Sequence, residues 1–175
     1  MNDFKLDVVS VRLVRNSPIL SDRKVDSPEA AMELIRDIFR DFDREILFVI
    51  NLKADGTPIN FHVVSIGSLD SSIAAPREML KASILSNASS MIIGHVHPSG
   101  NLLPSQQDIL VTDRMIKLCK LVGIPLMDHV IFGGDGSSYF SFKEKSLVDF
   151  NSMPSLNYDL ESISFDKVAE KNLSR

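Results

Sequence analysis

Cysteine occurs once in 175 residues, as Cys119, so no disulfide can close within the chain and a reducing compartment is expected. Basic excess is missing too. Lys and Arg number 19 against 23 Asp and Glu, for a formal charge of -4. No broad basic face follows from that balance, and with no tryptophan in the chain nothing favours direct contact with nucleic acid. No apolar run approaches the roughly 20 residues that a membrane-crossing helix needs. The stretch Met1–Asn16 scatters its charges and lacks the apolar centre of a signal peptide. There is no internal repeat and no low-complexity block. What remains is ordinary in bulk, with 44% hydrophobic and 24% charged residues. A chain of this length and composition is expected to form one cytoplasmic domain around one sizeable core.

The patterning divides the chain into residues 1–25, 26–148 and 149–175. In the first part Val9, Val11 and Leu13 alternate with Ser10 and Arg12, the period of a half-buried strand, and a polar linker follows. Ser27-Pro28-Glu29 opens a helix that is expected to reach about Phe42, because Ser caps, Pro suits the first turn and Glu suits the positive helix end. Glu45 to Leu52 is a nearly continuous apolar run, read as a buried strand. Asp55-Gly56 turns it into a return strand over Ile59 to Ile66. After a loop, a second helix is expected from Pro76 to about Asn87, then a buried strand over Ser90 to Val96. A third helix spans about Ser105 to Val122 and stops at Gly123. Strands over Pro125 to Phe132 and about Ser138 to Phe142 flank a turn at Gly133 to Gly136. The tail from Asp149 is weakly patterned. Helices alternating with strands indicate an α/β domain built on one mixed sheet.

One stretch carries chemistry. His95 and His97 lie two apart at the end of an apolar strand, so both side chains face one way and Val96 faces the other. Two imidazoles on one face can grip a metal ion. Asp108 falls on the same helical stripe as Val111, Met115 and Cys119, and a carboxylate aimed inward needs a positive partner. Ser105 and Asp108 also have the spacing of a capping box. Two histidines and one carboxylate leave a fourth zinc position open for water, as in catalytic sites. Iron, cobalt or nickel would also suit these ligands. Glu45, at the junction of a polar loop and an apolar strand, is the candidate base, and Ser105 the candidate donor to an oxyanion.

Other polar residues carry two readings each. Glu78 either serves the site or answers the helix dipole, which is the simpler role. Arg77 either binds a substrate carboxylate or interacts locally. His129 is either a donor behind the site or a buried structural histidine, and His62 is structural or exposed. Cys119, on the apolar stripe, reads as a small hydrophobe rather than a nucleophile.

The arrangement of Glu45, His95, His97, Ser105 and Asp108 resembles the JAMM (MPN) metalloprotease motif, Glu followed at a distance by His-x-His-x(7)-Ser-x(2)-Asp. Asp43-Arg44-Glu45, Val64-Ser65-Ile66-Gly67-Ser68-Leu69, Pro76-Arg77-Glu78, His97-Pro98-Ser99-Gly100, Pro104-Ser105 and Asp128-His129 make the wider stretch, Asp26 to Leu147, similar to the RadC branch. The resemblance implies a cytidine-deaminase-like mixed sheet flanked by helices. It implies one zinc ion on His95, His97 and Asp108, with Glu45 as general acid/base and Ser105 as stabiliser of the intermediate. It implies hydrolysis of a peptide, isopeptide or other amide bond in a protein or peptide substrate. The sequence departs from the branch at Val96, where Asn is usual, and in lacking a helix-hairpin-helix region before the domain, as do short forms found on mobile elements. Two other function classes stand beside the hydrolase. One is a non-catalytic scaffold working with DNA-repair or mobile-element proteins. The other is a nuclease or repair factor, which the acidic composition does not favour.

Overall fold

All seven side chains of Ile46–Leu52 (β1) are buried, so this strand has to lie inside a sheet covered on both faces. The computed structural model describes residues 24–39, 44–67 and 75–152, with residue 10 and residues 12–14. Around β1 it arranges Pro58–Ile66 (β2), Ser90–His97 (β3), Leu126–Gly133 (β4) and Tyr139–Ser141 (β5) in the order β2-β1-β3-β4-β5. The β1 strand is antiparallel to both neighbours, β3 and β4 are parallel, and β5 returns antiparallel to β4. The sheet is therefore mixed.

Period-2 alternation sends the two halves of each strand to different cores. Leu47, Val49, Met91 and Ile93 pack with Met79 and Leu80 of Pro76–Leu85 (α2) and with Val111, Met115 and Cys119 of Gln106–Val122 (α3). Ile46, Phe48, Ile50, Ile92 and Val96 pack on the other face with Ala31 and Ile35 of Pro28–Phe39 (α1). Among the described residues no helix is long and apolar enough to cross a membrane.

The helix boundaries follow from local chemistry. Ser27 Oγ accepts from Ala30 N at 3.2 Å and starts α1. Ser105 caps α3 with a complete capping box, and Gly123 ends that helix at φ 73°, a left-handed position open to glycine at little cost. Arg12, Leu13 and Val14 are not in a strand, and Leu13 and Val14 are exposed, so the alternation around Leu13 does not mark a buried strand there. Val9 and Val11, and the tail beyond residue 152, lie outside the described residues.

Gly94 is required by its neighbour across the sheet. A Cβ at this position would stand 1.9 Å from Phe48 Cζ. The Phe48 ring is itself held between Phe61, at 4.8 Å between centroids, and Phe132, at 6.0 Å, so it has little room to withdraw. Gly94→Ala is expected to lower stability by about 1–3 kcal/mol through overpacking, seen as a drop of several degrees in the thermal unfolding midpoint. An unchanged midpoint would mean that Phe48 moves aside freely.

Candidate metal centre

The parallel β3-α3-β4 unit brings the end of β3 beside the start of α3, and this is where the polar residues of the sequence motif meet. His95 and His97 share the face of Met91 and Ile93, while Val96 is buried in the opposite core, as alternation requires. Across β1, Leu47 pairs with His95 and Ile46 with Val96. Carrying that register one residue back sets Glu45 opposite His97, on the histidine face. The carbonyl of Glu45 also accepts from Gly67 N at 2.8 Å, which ties it to the end of β2.

Ligand atoms of Glu45, His95 and His97 lie within 4.8 Å of one another. Glu45 Oε2 is 3.9 Å from His95 Nε2, and its side chain is 39% exposed, whereas His95 and His97 are buried. The centre therefore has a closed back and an open side at Glu45. Asp108, expected as the third ligand, is not in this closest group. It stands behind His95, with Oδ1 3.1 Å from His95 Nδ1. Its Oδ2 accepts from Ser105 N at 2.8 Å and from Ser105 Oγ at 2.6 Å. Burial would raise the Asp108 carboxyl, but the bonds from His95 and Ser105 together outweigh burial and hold it well below its ordinary value.

These bonds decide which nitrogen of each ring is available. An ionised Asp108 only accepts, so the hydrogen between it and His95 sits on Nδ1 of the ring. His97 Nδ1 lies 2.5 Å from the carbonyl oxygen of Asn101, which also only accepts. In the neutral form each ring then has its lone pair on Nε2, the arrangement in which a backbone or carboxylate partner orients a metal-binding imidazole. His95 Nε2 is buried and has no hydrogen-bond partner. A buried acceptor without a donor is costly. A metal ion would satisfy it, so the residues present fit one.

The loop after His97 is shaped for this. Gly100, at φ 73°, reverses the chain and donates its N–H to His97 O at 3.0 Å, which brings the Asn101 carbonyl back over the ring. Gly134 donates to the same oxygen at 3.0 Å, and a Cβ on Gly134 would lie 2.8 Å from Pro98 O. The β4–β5 turn thus presses on the histidine loop only because that position is glycine.

The remaining candidates fall outside the group. Glu78 is paired with Lys81 at 2.7 Å and with Arg77 at 3.3 Å on the surface of α2. His62 is half-buried on β2 opposite Val49. Cys119 is buried and its thiol is pushed up to about 12 by desolvation, the opposite of an activated nucleophile. His129 is 1% exposed and contacts Thr112 of α3. The sequence pattern did not single out Thr112. Its place four residues after Asp108, on the buried stripe, was the available signal, since a buried hydroxyl has to find partners.

Burial, with His95 adding to it, pushes the His129 ring down to about 3 from an ordinary 6.5. Below pH 6.5 the unfolded chain takes up a proton that the folded chain refuses, so stability falls as pH drops through this range. Asp108 acts in a separate window: its contribution is complete above its ordinary value of 3.8 and is lost below it. Between pH 7 and 5, metal-stripped protein is expected to lose about 2 kcal/mol of unfolding free energy on account of His129. Urea unfolding of wild type and His129→Phe at the two pH values measures this, and equal losses in both would exclude His129 as the cause.

Comparison with known proteins identifies the family. A UPF0758 protein of Clostridium acetobutylicum is 43% identical over 125 residues, 71% of this chain and 54% of that protein. UPF0758 proteins of Syntrophomonas wolfei and Caldanaerobacter subterraneus are each 42% identical, over 72% of this chain and 54% and 53% of theirs. The chain thus spans about half the length of the curated relatives it matches. The RadC-like JAB domain matches residues 25–147, a range that takes in Glu45, both histidines, Ser105 and Asp108 as well as every helix and strand described, and the chain belongs to that family.

Proposed function

We propose that this chain is a zinc-dependent hydrolase of amide bonds, peptide or isopeptide, with His95, His97 and Asp108 holding the ion and Glu45 moving the proton. The observation that carries this reading is the tautomer of the two rings. Asp108 and the Asn101 carbonyl take the Nδ1 hydrogens and leave two Nε2 lone pairs beside a carboxylate, one of them buried and unpartnered.

When bound, a zinc ion here supplies a Lewis acid that polarises the scissile carbonyl and lowers the pKa of water to about 7. Glu45 stands at the open side, 3.9 Å from His95 Nε2, where its carboxylate can take a proton from the attacking water and return it to the leaving nitrogen. Ser105 Oγ donates to Asp108 Oδ2 and accepts from Asp108 N. It therefore aims Asp108 first, and it serves a developing oxyanion when Asp108 releases that hydrogen bond. Asp108 has two possible uses. As a ligand it would give up the bond from His95 Nδ1, and the ring would keep its hydrogen there because Nε2 would be taken by the ion; alternatively it keeps that bond and fixes the His95 tautomer while Glu45 ligates. We assign it the first, because Glu45 is the more exposed carboxylate, 39% against 6% for Asp108, as suits a group that exchanges protons with substrate and water.

Protein purified without added metal or an affinity tag is expected to carry about one zinc per chain. His97→Ala and Asp108→Asn should lose it and Glu45→Gln should keep it, as read by elemental analysis. Zinc lost from Glu45→Gln but kept in Asp108→Asn would exchange the two roles, and no zinc in wild type after reconstitution would sink the hydrolase. Against a panel of peptide and isopeptide substrates, chelator should abolish turnover. Glu45→Gln should lower kcat by about 10²–10⁴-fold with its zinc retained. Unchanged kcat in that variant would remove Glu45 as the base.

A further inference from the structure

Behind Asp108 lies a second polar chain that the mechanism does not use. His129 is on β4 and pairs with Ile93, so it shares the histidine face two residues deeper than His95. Its ring is stacked on Phe142 at 4.7 Å and 3°. His129 Nδ1 is 2.6 Å from Thr112 Oγ1, and Thr112 Oγ1 is 2.5 Å from the main-chain oxygen of Asp108. A carbonyl oxygen only accepts, so the threonine hydrogen goes to Asp108 and the hydrogen on His129 Nδ1 goes to threonine. The two bonds have one polarity, from His129 through Thr112 to the backbone of Asp108.

A threonine bonded to the carbonyl one turn back is common in helices and means little alone. The histidine is what needs explaining. The proton assignment leaves its lone pair on Nε2, which is buried without a partner, a cost that a phenylalanine stacked in the same place would not incur. In return the ring provides one thing, a fixed link from β4 to the first turn of α3, where Asp108 sits. Asp108 is otherwise held by Ser105 and His95 through its carboxylate and its N–H, so this link restrains its main-chain oxygen instead.

We propose that His129 and Thr112 are positioning residues of the metal centre, holding the Asp108 main chain so that its carboxylate meets the ion in one pose. This inference rests on the assignment of His95, His97 and Asp108 as ligands. The two bonds act in series, so losing either should have the effect of losing both.

The test is titration of the full chain with Co²⁺, followed by its visible absorption, beside thermal unfolding of the metal-free protein. Thr112→Val keeps the shape and removes the hydroxyl, Thr112→Ser keeps the hydroxyl, and His129→Phe keeps the stacking on Phe142. Thr112→Val and His129→Phe are expected to weaken Co²⁺ binding by about tenfold or more, with an altered absorption spectrum. The double variant should be no worse than either single one, and Thr112→Ser should bind like wild type. Lower unfolding midpoints with Co²⁺ affinity unchanged would make the pair merely structural and overturn the proposal. Should Thr112→Val fail to fold, His129→Phe decides by the same criterion. Failure of wild type itself to bind Co²⁺ would remove the metal centre and this inference with it, whereas equal binding by wild type and variants removes the inference alone.

Discussion

Both oxygens of Asp108 are committed, one to Ser105 and the other to His95, and through them one carboxylate ties the first turn of α3 to the end of β3. The geometry of the centre depends on that tie. It caps the helix, it sets the hydrogen on His95 Nδ1, and so it aims Nε2 toward Glu45 and His97. A charge buried to this degree is tolerable only with such partners. Asp108 has three hydrogen-bond donors from two residues, and they hold its carboxyl below its ordinary value although burial acts to raise it.

The sheet supplies the rigidity that the site needs. Strands β1, β3 and β4 are buried nearly throughout, and their side chains alternate between two apolar cores. On one face that alternation ends in the histidines, while on the other Val96 continues the core against α1. A histidine pair at the end of a central strand inherits the strand's precision, which a pair on a free loop would not. The contact of Phe48 with Gly94 shows the same economy of space, because the ring occupies the room that a side chain beside His95 would take.

Polar groups in this region are layered by depth. Glu45 is partly exposed, His95, His97 and Asp108 are buried behind it, and Thr112 and His129 are deeper still. Exposure thus falls from the group proposed to move protons to the groups proposed to hold others in place. Asp128, next to His129, is bonded away from this series: it accepts from Ser141 Oγ, from its neighbour's N–H and from Lys143 N, and it secures the β4–β5 hairpin.

Much of this was readable from residue order, because it depends on local rules. Period-2 alternation put His95 and His97 on one side and Val96 on the other. Capping chemistry placed the start of α3 at Ser105 and its end at Gly123, within one residue. A nearly continuous apolar run marked β1, and β3 was legible as a second buried strand. At Leu13 the N-terminal alternation meets no cover, because a period says which residues would share a face and not whether anything covers that face. The pairing of β1 with β3 lay beyond local rules. It brings Glu45 to the histidines across about fifty residues, and it depends on which strands share a sheet. Likewise Asp108 was recognisable as an inward carboxylate, but its bond to His95 Nδ1, and the descent from it to Thr112 and His129, exist only once α3 has packed on β3 and β4. Sequence determined which groups are candidates to carry the chemistry, since their types and spacings are local properties. Tertiary structure alone decided which atoms of those groups face one another, since hydrogen-bond direction and ring tautomer are set by partners far away in the chain.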